Sequence, residues 1–178
     1  DGNREWIKSI SLSGDGDALA VEVIDWVGIG GEPWAKAHVY DFYRDLWVRR
    51  GSGLDMGRAS PSDETQLLSL SQSGNFLAMA IYKMNEDCHT VRVLEYDAAL
   101  SGWKRKGWPI VSGVVGCPSH RAVTLSRDGT TLAIGTLHPS DFNRGHVMVY
   151  TFPPGGRNWE ILGVGYDAEE GYYTLENY

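Results

Sequence analysis

The chain has 178 residues, 22% charged and 42% hydrophobic, the composition of one folded domain rather than of a disordered segment. Its formal net charge of −7 excludes the broad basic footprint that a nucleic acid or an anionic membrane surface requires. No apolar run approaches the ~18 residues that a bilayer-spanning helix takes.

The 22 glycines, with 7 Trp, 9 Tyr and 4 Phe, favour β structure rich in turns. The chain starts at Asp1, with neither Met nor a signal-peptide pattern, so residue 1 is read as a processed or trimmed end.

Taken in order, "SISLS" (Ser9 to Ser13) alternates as a half-buried strand does, and Gly14-Asp15-Gly16 turns it. "ALAVEV" from Ala18 is a near-continuous apolar run that suits a strand covered on both faces. A loop from Ile24 to Lys36 leads to the alternating "AHVYDF" from Ala37, and a fourth strand runs from Trp47 to Gly51. The same order then recurs. "LLSLS", "FLAMAI", "VRVLEY" and "WKRKG" follow, with a loop at Tyr82 to Thr90; then "AVTLS", "TLAIGT", "VMVYTF" and "WEILG", with a loop at Thr136 to Arg144. Leu12, Leu70 and Leu125 are spaced by 58 and 55 residues, and Trp47, Trp103 and Trp159 by 56 and 56. No segment shows sustained helical periodicity.

The prediction is an all-β chain of three four-stranded antiparallel propeller-type blades at about 5–57, 58–113 and 114–170, with 171–178 as the start of a further strand or a tail. The pattern L-S-x-x-G-x-x-L-A, then V-x-V-Y, then W-x-x-x-G resembles the FG-GAP type of propeller repeat, related to the integrin α-chain head, in its tandem-array form. That resemblance implies a scaffold more than a reaction. Family calcium loops carry D-x-D-x-D-G between the first two strands. Here the turns read "SGDGD", "SQSGN" and "SRDGT", with too few carboxylates for a cation that takes six to eight oxygens. Calcium is therefore not carried over, and no metal or cofactor is expected. WD-type repeats are the nearest alternative, but no Trp-Asp pair closes a third strand. Closed propellers typically have four to eight blades, so three suggest a window on a longer array. A threefold prism of sheets and a pair of chains forming a six-bladed ring are the other readings.

Candidate contact residues are Trp26, Trp34, Tyr82, His138 and Phe142, which fall in predicted exposed turns between the second and third strands. Covering of blade ends is the competing reading. Gly28-Ile29-Gly30-Gly31 is read as a flexible loop, because a phosphate cradle needs a following helix and Pro33 intervenes. Cys88 and Cys117 lie on the same predicted face of neighbouring blades, so a disulfide and free thiols are both open readings. Zinc is disfavoured, since Cys88-His89 are adjacent and tetrahedral sites usually space their ligands by two or more residues. A disulfide would go with an extracellular or organelle-lumen location. Arg49-Arg50 and Lys104-Arg105-Lys106 are read as edge-strand protection, and the recurrent Trp residues as packing anchors between blades.

No G-x-S-x-G, H-E-x-x-H or P-loop occurs, and no catalytic residue is assigned. The expected function is a non-catalytic module for protein–protein interaction or assembly, whose partner is another protein or further copies or blades. A lectin-like module using loop aromatics on a glycan, and an enzyme with its catalytic residues in other blades, are the alternatives.

Overall fold

The computed structural model describes residues 4–26, 33–58, 68–83, 88–111, 120–137 and 145–166. Every regular element among them is a strand, in three antiparallel four-stranded units. Blade one runs β1 (Arg4–Leu12), β2 (Ala18–Trp26) and β3 (Pro33–Tyr43), with its outer strand in two pieces, β4 (Leu46–Arg49) and β5 (Leu54–Arg58), both paired to β3. Blade two repeats this as β6 (Leu68–Leu70), β7 (Phe76–Lys83) and β8 (Cys88–Asp97), with β9 (Gly102–Arg105) and β10 (Ile110–Val111) both on β8. Blade three is β11 (His120–Leu125), β12 (Thr131–Leu137), β13 (Gly145–Thr151) and an unbroken β14 (Glu160–Tyr166). A single parallel bridge, Gly57 to Tyr82, links the first two sheets.

Two expectations need correction. The fourth strand does not end at its glycine. Gly51 and Gly107 take φ of 72° and 78°, which jogs the strand and lets it resume against the same neighbour; Gly163 lies inside β14. The loop expected at Ile24 to Lys36 is also shorter. Trp26 ends β2 and Trp34 lies in β3, with Asp25 opposite Trp34. Likewise Tyr82 lies in β7 and Cys88 opens β8. Charged and aromatic residues interrupt the apolar alternation there without ending the strands. In the sheet, Lys36 reaches Asp25 across the strands at 3.8 Å.

The tight turn between the first two strands is built identically three times. Ser13, Ser71 and Ser126 each accept, through the side-chain oxygen, the backbone N–H five residues on, at 2.8, 3.1 and 2.9 Å. Gly16, Gly74 and Gly129 close the turn by donating back to the same serine's carbonyl, with φ of 83°, 67° and 70°. In the third turn Asp128 accepts from the Ser126 hydroxyl at 2.6 Å and from the Thr130 N–H and hydroxyl, which holds its carboxyl down at about 2.

The blades pack face against face, and the core lies in the two junctions. Each blade turns a face of large side chains towards the preceding blade and a face of small ones towards the next. Leu77 and Met79 of blade two bury on the blade-one side, where Ala20, Ala37 and Val39 are buried; Leu132, Ile134 and Tyr150 of blade three bury on the side of Ala78, Val91 and Val93. Only the middle blade has its second strand covered on both faces: Leu77 through Ile81 are all buried.

Inner strands are tied across each junction. The Leu70 N–H donates to the Ser11 hydroxyl at 3.0 Å, and the Leu125 N–H donates to the Ser69 hydroxyl at 2.9 Å. The turns add backbone links, Asp15 N–H to the Gln72 carbonyl and Gln72 N–H to the Arg127 carbonyl. A Cβ on Gly129 would stand 2.4 Å from the Phe76 ring of blade two, whereas one on Gly16 would meet nothing within 4 Å. The structure therefore predicts that, in dilute solution, Gly129→Ala costs roughly 2–4 kcal/mol, from left-handed backbone strain plus overpacking. Gly16→Ala, with the strain alone, should cost about 1 kcal/mol. Urea titration of the two variants checks the difference.

Candidate functional site

Two of the expected contact residues can be placed only by backbone: Trp26 at the end of β2 and Tyr82 in β7. His138, Phe142 and Cys117 lie outside the described residues, as does Gly28 to Gly31. Trp34 is described fully. It is partly exposed on a strand, and its indole N–H donates to Asp55 at 2.6 Å. Of the five, Trp34 alone has its side chain among the described residues.

What they bring together is the pair of end faces. Ile10 on β1 is 59% exposed, whereas its repeat equivalents Leu68 and Val123 are 0% and 4% exposed. Leu12, Phe42 and Trp47 on the same face are exposed as well, and a groove of about 630 Å³ runs between Ile7, Leu19, Val21, Val23, Tyr40 and Trp47. At the other end, the small-side-chain face of blade three is open. Val147 is 38% exposed where Val91 is 0% exposed.

Next to the apolar groove lies a polar cavity of about 320 Å³, lined by Glu5, Asp25, Lys36, His38 and Arg49. Burial first, then the charges of Arg49 and Lys36, hold the His38 imidazole below its usual range, so it is neutral at pH 7. A histidine beside carboxylates invites a catalytic reading, but its repeat equivalents argue otherwise. Arg92 and Arg105 occupy the positions of His38 and Arg49 in blade two, where they line a cavity of about 390 Å³ against Leu54 and Asp55 of blade one. The His38 cavity has the form of such a junction with one wall missing. Among the described residues no three His, Cys, Asp or Glu side chains are grouped to hold a metal ion.

The basic residues read as edge protection do something else. The Arg50 guanidinium donates to Asp41 at 2.8 Å and to the Gly74 carbonyl at 2.8 Å, and lies 4.9 Å over the Tyr96 ring of the next blade. Lys106 holds the equivalent position, 4.2 Å over Phe76 of its own blade and 4.8 Å over Phe152 of blade three. Each cation staples its blade to the next through a partly desolvated ring face. Lys104, paired with Glu95 and Asp97, does stay on the exposed edge.

The recurrent tryptophans are junction anchors. Trp159 is packed against Gly107 of blade two and donates its indole N–H to the Lys106 carbonyl at 2.8 Å. Trp103 lies against Gly51 of blade one, with its indole N–H buried and without a hydrogen-bond partner. Each also meets edge-on an aromatic at the end of its own blade's third strand, Phe152 just past β13 at 5.3 Å and Tyr96 in β8 at 5.4 Å.

The fold as a whole matches solved structures. The β-propeller domain of the Trilobed protease from Pyrococcus furiosus superposes with a TM-score of 0.60 at 7% identity, over 92% of this chain and 43% of that one. The fold is a β-propeller. A hypothetical selenium-binding protein from Sulfolobus tokodaii gives 0.56 at 13% identity over 88% of this chain and 40% of that one. Saccharomyces cerevisiae Sqt1 gives 0.53 at 15% over 94% and 36%. At these identities the likeness is one of fold, and the chain spans less than half the length of each of these three chains. No family model and no curated protein matches the sequence.

In this propeller an anchor counts only where a preceding blade covers it. Trp159 is 7% exposed and Trp47, which no described blade covers, 43%. In denaturant titrations at high dilution, Trp159→Ala should cost roughly 3–5 kcal/mol. Trp47→Ala should cost less than about 1 kcal/mol.

Proposed function

We propose that the chain is a non-catalytic propeller module that works through assembly with protein, by way of its end faces. One observation carries this reading: each end face bears the side chains that are buried at the internal junctions, in the same order and on the same strands. Exposed apolar patches of this kind mark interaction sites rather than chance surface. Within propellers, the strand-and-turn pattern favours the FG-GAP-type repeat as the finer assignment. A disulfide between Cys88 and Cys117 and an extracellular or luminal location belong to the same proposal.

The lectin-like alternative is favoured by Trp34, a partly exposed indole already oriented by Asp55. An enzyme with its catalytic groups in other parts of a longer chain is the third reading, since one matched propeller is the domain of a protease.

A glycan array separates the first two readings. The assembly reading expects no glycan retained above background. A glycan held by the unaltered protein and lost with Trp34→Ala would overturn it in favour of carbohydrate recognition.

A further inference from the structure

We infer that the junction between blades one and two is a binding site for a small organic acid, a monocarboxylate with an apolar body. Both walls of this site belong to described blades, so the inference stands apart from the reading of the end faces.

The face that blade two turns to blade one carries Met79, Arg92, Leu94 and Arg105 together. Met79 is opposite Arg92, Leu94 is opposite Arg105, and residues two apart on one strand share a face. With Trp103, and with Leu54 and Asp55 of blade one, they line the cavity of about 390 Å³, which is of the size that small-molecule sites have. Met79 and Leu94 are buried at its floor, Arg92 is half-buried, and Arg105 is exposed at its mouth.

The junction between blades two and three shows what these positions need for packing alone. There Met148 stands in the place of Arg92 and Ile161 in that of Arg105, paired in the same register with Ile134 and Tyr150. Arginine is therefore not a requirement of the blade contact. It carries a cost instead: the Nε of Arg92 is buried without a hydrogen-bond partner, and the Trp103 indole N–H on the same wall is orphaned too, whereas the Trp159 indole has its acceptor. A buried guanidinium donor left open beside a cavity is what an occupant with carboxylate oxygens relieves.

Charge and shape select the occupant. The two guanidiniums share the cavity with one carboxylate, Asp55, whose Oδ1 already accepts the Trp34 indole N–H at 2.6 Å and the Gly57 N–H at 2.9 Å. Neither arginine is ion-paired with Asp55 or with another described residue. The lining thus keeps one positive charge unmatched, which fits a monoanion; a phosphate dianion would be repelled by Asp55. A guanidinium fork takes a carboxylate through two parallel N–H···O bonds. Leu54, Met79, Leu94 and Trp103 offer hydrocarbon to the rest of the molecule.

Isothermal titration calorimetry of the chain at pH 7 with benzoate, naphthoate and octanoate tests this, with benzamide and inorganic phosphate as controls. The expected result is saturable binding of at least one of the acids and none of either control at the same concentrations. Arg92→Met and Arg105→Ile install the residues that the next junction uses in these places, so each should keep the far-UV circular dichroism of the unaltered protein. Each should weaken binding of the acid roughly tenfold to a hundredfold. The NMR resonance of the Trp103 indole N–H should shift as the acid is added to the unaltered protein and stay in place in Arg92→Met. No binding of any of the acids, benzamide or phosphate held as tightly as they are, or binding unaffected by both substitutions overturns the inference.

Discussion

The structure depends on how the inner edge of each blade is satisfied. A four-stranded sheet has two edges, and the innermost strand presents backbone N–H groups that pair with no strand of its own blade. Packed against a neighbour and shielded from water, an orphaned N–H costs the full desolvation penalty. Ser11 and Ser69 remove that cost by accepting, through their hydroxyl oxygens, the N–H groups of Leu70 and Leu125 of the next blade. A serine is short enough to let the strands approach and polar enough to complete the bond. Around this link the leucines of one blade meet the alanines and valines of the other, so hydrogen bonding and packing fix the same relative placement.

The repeat in the sequence is largely a record of these junctions. The strand-one serine and leucine, the turn glycine, the alanine of strand two, the tryptophan and its trailing glycine each touch the adjoining blade or the turn that reaches it. That explains why the fold was legible from spacing alone: the residues that recur are those with the same neighbour in every unit. It also explains why the site was less legible. Whether Ile10 or Leu68 is buried does not depend on its own strand but on whether a blade lies in front of it. Charge misled twice. Asp25 and Lys36 looked like loop residues but pair across strands, and Arg50 and Lys106 looked like solvent-facing edge residues but lie on rings of the next blade. Their side chains cross a junction, and no local pattern encodes that crossing.

A chain stabilised mainly between units behaves as a one-dimensional array, with each interior junction adding to stability and each terminal face a liability. The His38 cavity illustrates the consequence for function. Taken alone, a neutral histidine among Glu5, Asp25 and Lys36 resembles an active centre; compared with the Arg92 and Arg105 cavity, it is a junction without its second wall.

Amide hydrogen exchange at Leu125, in the unaltered protein and in Ser69→Ala, tests the central claim most directly. The account predicts strong protection of the Leu125 N–H that Ser69→Ala removes, while the strand-two amide of Ile134 in the same blade keeps its own. Exchange at Leu125 that is unchanged by the loss of the Ser69 hydroxyl would contradict it, and would mean that the blades are held together without the link between their inner strands.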